Sequence, residues 1–155
     1  MSSTWDLSVL NPNGSPESVI YINDKEMLFC ILCRYHLGSD YLSTIYLVNQ
    51  KKKESKPTNF DRKSFQGSFG ISPSSHFVCK GICVDKNNTI LYSDATYRCV
   101  NALNEDMKFK KFVVSGSDYN LESPGPIAIY NDHLWVVDSK QIVIFRYNAD
   151  EIEIY

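Results

Sequence analysis

Short apolar clusters alternate with polar turns along the whole chain. Residues 5–10 set Trp, Leu and Val against Asp and Ser, the two-residue period of a half-buried strand. Asn11-Pro12-Asn13-Gly14-Ser15-Pro16 is turn chemistry, because Gly accepts positive φ and Pro cannot donate to a ladder. Further strands are expected at 18–22, 27–35 and 41–48, with a weaker one around 65–71. Residues 49–62 are polar and read as a loop. The second half has sharper punctuation. It predicts strands at 81–85, 89–93, 97–103 and 109–114, then at 126–130, 134–137, 141–147 and 152–155. Turns fall at Lys86-Asn87-Asn88, Asn104-Glu105-Asp106, Asn131-Asp132-His133, Asp138-Ser139-Lys140 and Asn148-Ala149-Asp150. No window carries a sustained apolar i, i+3, i+4, i+7 stripe, so the fold class is all-β.

The pattern repeats. Gly81-Ile82-Cys83-Val84-Asp85 overlays Pro126-Ile127-Ala128-Ile129-Tyr130 at an offset of 45 residues. Ile90-Leu91-Tyr92-Ser93-Asp94 overlays Leu134-Trp135-Val136-Val137-Asp138 at 44. A four-stranded unit recurring every ~40–50 residues is the period of a propeller blade. A weaker copy places Pro16, Val19, Tyr21, Asn23 and Asp24 over Pro124, Ile127, Ile129, Asn131 and Asp132 at an offset of 108. The expected architecture is one domain over 1–155, a β-propeller-like arc of about three four-stranded antiparallel blades. The blades span about 16–71, 80–115 and 124–155, with a basic insertion at about 50–65. A mixed β-sandwich is the structural alternative. In the arc, Ile82, Val84, Ile127 and Ile129 face between blades, and Asp94 and Asp138 cap the turns after their strands.

Gly81-Ile82-Cys83-Val84-Asp85, Asn87-Asn88-Thr89-Ile90-Leu91-Tyr92-Ser93-Asp94 and Arg98 together resemble an NHL repeat. The resemblance covers about 80–147 and is similar to the C-terminal propellers of tripartite-motif-like proteins. The last copy follows the pattern less well: Tyr130 replaces the first Asp, and Ile142 stands where Arg98 falls. The resemblance implies a non-catalytic interaction module that binds a protein or RNA partner through loop surfaces. The family's RING and B-box zinc modules are not in the sequence, so ubiquitin ligation is not implied. The competing reading is a metal-dependent lactonase or esterase-like propeller hydrolase. It requires Glu, Asn and Asp ligands at a channel mouth, and no matching set is evident.

Composition agrees with the β reading. The 155 residues are 43% hydrophobic and 13% aromatic, with ten Tyr and eight Phe, which suit a pleated, half-buried surface. The longest apolar run is residues 27–33, far short of the roughly 20 needed for a spanning helix. The first ten residues hold neither a basic stretch nor a long apolar run, so no secretory signal is visible. A net charge of -2 argues against bulk nucleic-acid binding and leaves room for a local patch.

Five cysteines, Cys30, Cys33, Cys79, Cys83 and Cys99, give an odd count. Reduced thiols and a cytoplasmic location are expected. Cys30-x-x-Cys33 and Cys79-x-x-x-Cys83, with His36 and His76 nearby, have the look of two zinc half-sites. Positions i and i+3 of a strand point to opposite faces, however, and buried inert thiols are the simpler role. No phosphate-loop, nucleophile-elbow or zinc-protease motif occurs, so no catalytic residue, metal ligand or cofactor is assigned.

One local charge anomaly remains. Lys51, Lys52, Lys53, Lys56, Arg62 and Lys63 are offset only by Glu54 and Asp61. Phe60 and Phe65 are near enough in sequence to stack on bases. These basic residues and Phe60 form the candidate binding set, against a plain solvated loop. Three blades also leave both ends of an arc open. Either two chains complete one ring as a homodimer, or the chain is part of a longer one. The strand at 27–35 and the cluster Trp135, Ile142 and Ile144 are then expected toward opposite ends.

Overall fold

A computed structural model describes residues 14–23, 26–34, 41–49, 61–65, 77–115 and 119–149. The chain is all-β, folded as three antiparallel sheets. The first contains β1 (Gly14–Asn23), β2 (Glu26–Arg34), β3 (Tyr41–Asn49) and β4 (Asp61–Phe65). The second contains β5 (Cys79–Val84), β6 (Ile90–Asp94), β7 (Cys99–Leu103) and β8 (Phe109–Val114). The third contains β9 (Pro124–Tyr130), β10 (His133–Asp138) and β11 (Gln141–Arg146). Each sheet is a meander in which spatial order follows chain order. The expected strands at 5–10 and 152–155 lie outside the described residues.

Local chemistry sets the hairpins. Asn131 and Asp132 take φ of 48° and 57°, the double positive φ of a two-residue hairpin, and these two residue types tolerate it. Asn88, at φ 59°, does the same in the turn between β5 and β6. His133 is the first residue of β10 rather than part of the turn, and its Nδ1 donates to the Asn131 carbonyl at 2.6 Å.

The sequence repeat is a repeat of register. Ile82 pairs with Tyr92, Cys83 with Leu91 and Val84 with Ile90. In the third sheet Ile127 pairs with Val136, Ala128 with Trp135 and Ile129 with Leu134. In the first, Val19 pairs with Phe29, Ile20 with Leu28 and Tyr21 with Met27. Each opening strand also breaks register at the same point: between Pro16 and Ser18, between Cys79 and Gly81, and between Pro124 and Ile127. An extra residue there bends the strand and resets which side chains face which way.

The second sheet lies between the other two. One core joins it to the first sheet through Ile45, Phe65, Phe77, Cys79, Ile82, Ile90, Tyr92 and Leu103. The other joins it to the third through Cys83, Leu91, Val100, Ile127, Leu134, Val136 and Tyr147. Every residue of β6 and β7 is therefore buried. As the repeat predicts, Ile82 and Val84 face the first interface, and Ile127 and Ile129 the second. The opening strands meet directly, β1 against β5 and β5 against β9.

Two sequence expectations shift. The weak strand expected around 65–71 lies outside the described residues apart from Phe65, and β4 forms instead at Asp61–Phe65, at the end of the stretch expected as a basic insertion, paired with β3. Arg62 and Lys63 are thus strand residues, not loop residues. Asp-Arg-Lys-Ser carries no apolar alternation; the strand forms by pairing with the outer edge of β3, whose backbone groups would otherwise lack partners. Phe65 is 4% exposed, with its ring centroid 5.5 Å from Phe77 and 5.4 Å from Tyr92. It belongs to the core and is not available to stack on a base.

Candidate functional site

Three places gather chemistry: the buried carboxylates, a groove between the opening strands, and the basic rim.

The carboxylates hold the sheets together. Asp94 Oδ1 accepts from Thr96 N at 2.9 Å and Tyr97 N at 3.3 Å in the turn that follows, and from Val78 N at 3.4 Å. Asp138 accepts from Ser123 N at 2.7 Å and Glu122 N at 3.0 Å, in the segment leading into β9 rather than the following turn. Both ties therefore reach the chain just before the opening strand of their own sheet. Asp85 Oδ1 accepts from Asn87 N at 2.8 Å and Thr89 N at 2.7 Å. Its Oδ2 accepts from Tyr147 Oη at 2.8 Å, which clips the end of the third sheet to the second. Burial and this contact with Asp85 push the Tyr147 phenol up.

Around Asp94 the chemistry is polar and buried. Cys79, Asp94 and Cys99 sit abreast on β5, β6 and β7. Tyr92 and Asn101 pair two positions along the ladder. Asp94 Oδ2, Tyr92 Oη and Asn101 Nδ2 are buried without a protein partner. Burial pushes the Asp94 carboxyl up to about 6, against the pull of its backbone donors. Burial, with Asp94 nearby, pushes the Cys99 thiol up to about 12. Thiols held protonated this firmly are poor metal ligands and poor nucleophiles.

The proposed second zinc half-site does not assemble. Cys79 lies in the core shared with the first sheet and Cys83 in the core shared with the third. Four residues apart in a regular strand would share a face. The register break at Lys80 places these two on opposite faces. Cys79, Cys83 and Cys99 are all buried and form no disulfide. Among the described residues, no group of three His, Cys, Asp or Glu side chains is arranged to hold a metal. Cys30 and Cys33 both fall on β2; their side chains, His36 and His76 lie outside the described residues.

The groove is where β1, β5 and β9 converge. Ile20, Ile82, Val84, Ile127 and Ile129 line about 380 Å³, with Asp85 and Asn88 at its polar edge. Apolar side chains share its lining with polar surface, and its one carboxylate, Asp85, already accepts three hydrogen bonds.

The basic rim lies on the outer strands. Of the candidate set, Lys51, Lys52, Lys53, Lys56 and Phe60 lie outside the described residues, and Arg62 is placed by its backbone only. Lys63 is exposed. Its Nζ lies 2.7 Å from Asp106 Oδ1 and donates to the Glu105 carbonyl at 3.1 Å. That contact sets Lys63 against the β7–β8 turn, and its hydrogen bond and then its charge lower the Asp106 carboxyl. Beyond the turn, β8 presents Lys110 and Phe112, both exposed, on a strand that also carries Lys111. Phe112 is 55% exposed, its ring edge-on to Phe109 at 5.1 Å. Burial, then Lys110 beside it, lowers the Lys111 ammonium. Lys108, Lys110, Lys111 and Phe112 were not singled out from sequence, because they lie more than forty residues from Lys63. The Lys-Phe-Lys-Lys-Phe run at 108–112 was the available signal.

No protein-family model matches the chain, and no curated protein matches it.

Proposed function

We propose that the chain is a non-catalytic interaction module, an open arc of propeller-like blades whose basic outer rim binds RNA. The observation that carries this reading is the contact of Lys63 with the β7–β8 turn. It brings Lys63, the described end of the basic stretch, to the turn that leads into β8, a strand with Lys110 and Phe112 exposed. Lysines beside an exposed ring are the parts of a single-strand site: the ammonium groups take phosphates, and the ring stacks on a base without choosing it. The arc reading is supported by three meanders of common register that meet through their opening strands. The buried thiols among the described residues suit a reducing compartment, which supports a cytoplasmic location.

A hydrolase needs carboxylates free to hold a metal. Asp85, Asp94 and Asp138 are each committed to backbone N–H groups.

Fluorescence anisotropy with a labelled single-stranded RNA tests the proposal. Binding should weaken between low and moderate salt, with a slope of roughly 0.7 per phosphate contacted. Replacing Lys51, Lys52 and Lys53 with Ala should weaken binding and flatten that slope. Phe112→Ala should weaken binding and leave the slope unchanged. Absence of binding at low salt, or binding indifferent to both variants, rejects the RNA reading. Capture of an acidic protein through the same lysines assigns the rim to a protein partner instead.

A further inference from the structure

The third sheet has one covered face and one uncovered face. Ile127, Leu134 and Val136 are buried against the second sheet. On the opposite face Trp135 is 37% exposed, Val137 39%, Ile142 62% and Ile144 49%. These four meet across one ladder, Trp135 opposite Ile144 and Val137 opposite Ile142. A contiguous apolar face of this kind on a sheet marks a place where something docks.

The common register shows what kind of surface docks there. Ala128 pairs with Trp135 as Cys83 pairs with Leu91. Ile144 stands opposite Trp135 as Ala102 stands opposite Leu91. The uncovered row Ala128, Trp135, Ile144 therefore occupies the positions of Cys83, Leu91, Ala102 in the second sheet. There the same row is buried, and the elements packed on it are β9 and β10 of the next sheet. The exposed face is thus the repeat's own sheet-bearing face, with no sheet on it among the described residues.

The first sheet presents the matching half. Val19 holds the position of Ile82 and Ile127, each of which is buried against the preceding sheet. Val19 is 56% exposed. Thr44 and Tyr46, on β3, are already covered, so among the described side chains of this face Val19, on β1, is the exposed one. Opening strands are also where the sheets of this chain meet one another.

We infer that the outer face of β9–β11 docks the opening strand of the first sheet of a second copy of this chain. The contact is head-to-tail, continuing the packing already seen twice within one chain. Two copies close such a contact into a ring, and a larger number extends it. The new contact is more apolar than the internal one. Val137 stands where Ser93 donates to the Gly125 carbonyl at 2.7 Å, so packing replaces that hydrogen bond.

Sedimentation velocity on the full 155-residue chain at micromolar concentration tests this, independently of RNA. The unaltered chain should self-associate. Ile142→Lys, which blocks the rear face, and Val19→Glu, which blocks the front, should each sediment as monomers. An equimolar mixture of the two should form dimers, because each retains the half that the other lacks. Both positions are exposed, and circular dichroism confirms that each variant is folded; Ile144→Lys replaces Ile142→Lys should the latter unfold. A monomeric unaltered chain overturns the inference. So does association that survives both substitutions, or a Val19→Glu chain that still pairs, which signifies a back-to-back contact.

Discussion

Asp94 shows how a single buried residue sets a pH response. Its carboxyl is fully buried, with Oδ1 accepting three backbone N–H groups and Oδ2 accepting none. Desolvation raises it from 3.8 to about 6, so the folded state favours its protonated form. Its contribution to stability is then greatest below pH 3.8, declines as pH rises toward about 6, and is a constant penalty above that. Its neighbours do not mask this. The Tyr92 phenol and the Cys99 thiol are both pushed upward and stay neutral through that range. Asp94→Asn keeps the Oδ1 acceptor and removes the charge. Urea melts of this variant should lose the decline between pH 4 and 6 that the unaltered chain shows, and should match or exceed its stability at pH 7. Asp94→Ala leaves backbone donors unpaired and should cost about 1–3 kcal/mol at low pH, where Asp94 is protonated, and less as pH rises toward 6 and the unaltered chain takes on its buried charge. An unchanged pH profile in Asp94→Asn would mean that another group carries it.

At the scale of the element, β5 and β9 come closer than side chains allow. A Cβ on Gly81 would stand 2.7 Å from the Gly125 carbonyl oxygen and 2.8 Å from Ile127 N, both backbone atoms that cannot swing aside. Gly81→Ala should therefore cost about 1–3 kcal/mol, read as a fall in the urea midpoint. At Gly125 the nearest contact is 3.3 Å, from the Val137 carbonyl oxygen, and Gly125→Ala should cost less. Equal effects would place the close approach elsewhere. This contact was not legible in the sequence, where Gly81 is one letter of a repeat whose later copy reads Pro126. Where the chain is apolar and punctuated, the pattern was sufficient: residues 109–114 were expected as a strand and form β8 with the same ends. Where packing between sheets decides, it was not. Phe65 had the flanks of an exposed ring and is core. Cys79 and Cys83 had the spacing of a shared face and lie on opposite faces, because one extra backbone residue carries no compositional mark. The rim was half legible. The lysines at 51–53 stand out by charge, but that Lys63 on β4 reaches the β7–β8 turn depends on a fold the sequence does not display.

Across the whole molecule, the three sheets are unequal in what surrounds them. The middle one has a neighbour on both faces, whereas the third has one face open. Backbone protection should follow that inequality, since amides open to solvent at the cost of the contacts that must first be broken. In deuterium labelling, β6 and β7 should exchange last, near the rate set by global unfolding, and β11 well before them. Uniform exchange across the three sheets would mean that they open as one unit. Among the described strands, all pairing within a sheet is between strands adjacent in sequence, so contact order within each meander stays low. Only the meetings of the sheets span long stretches of chain. The middle sheet is therefore the last to let go and, by the same contacts, the one whose burial waits on both of its neighbours. A lesion in either flanking sheet should shorten the lifetime of the centre, even where no altered atom touches it.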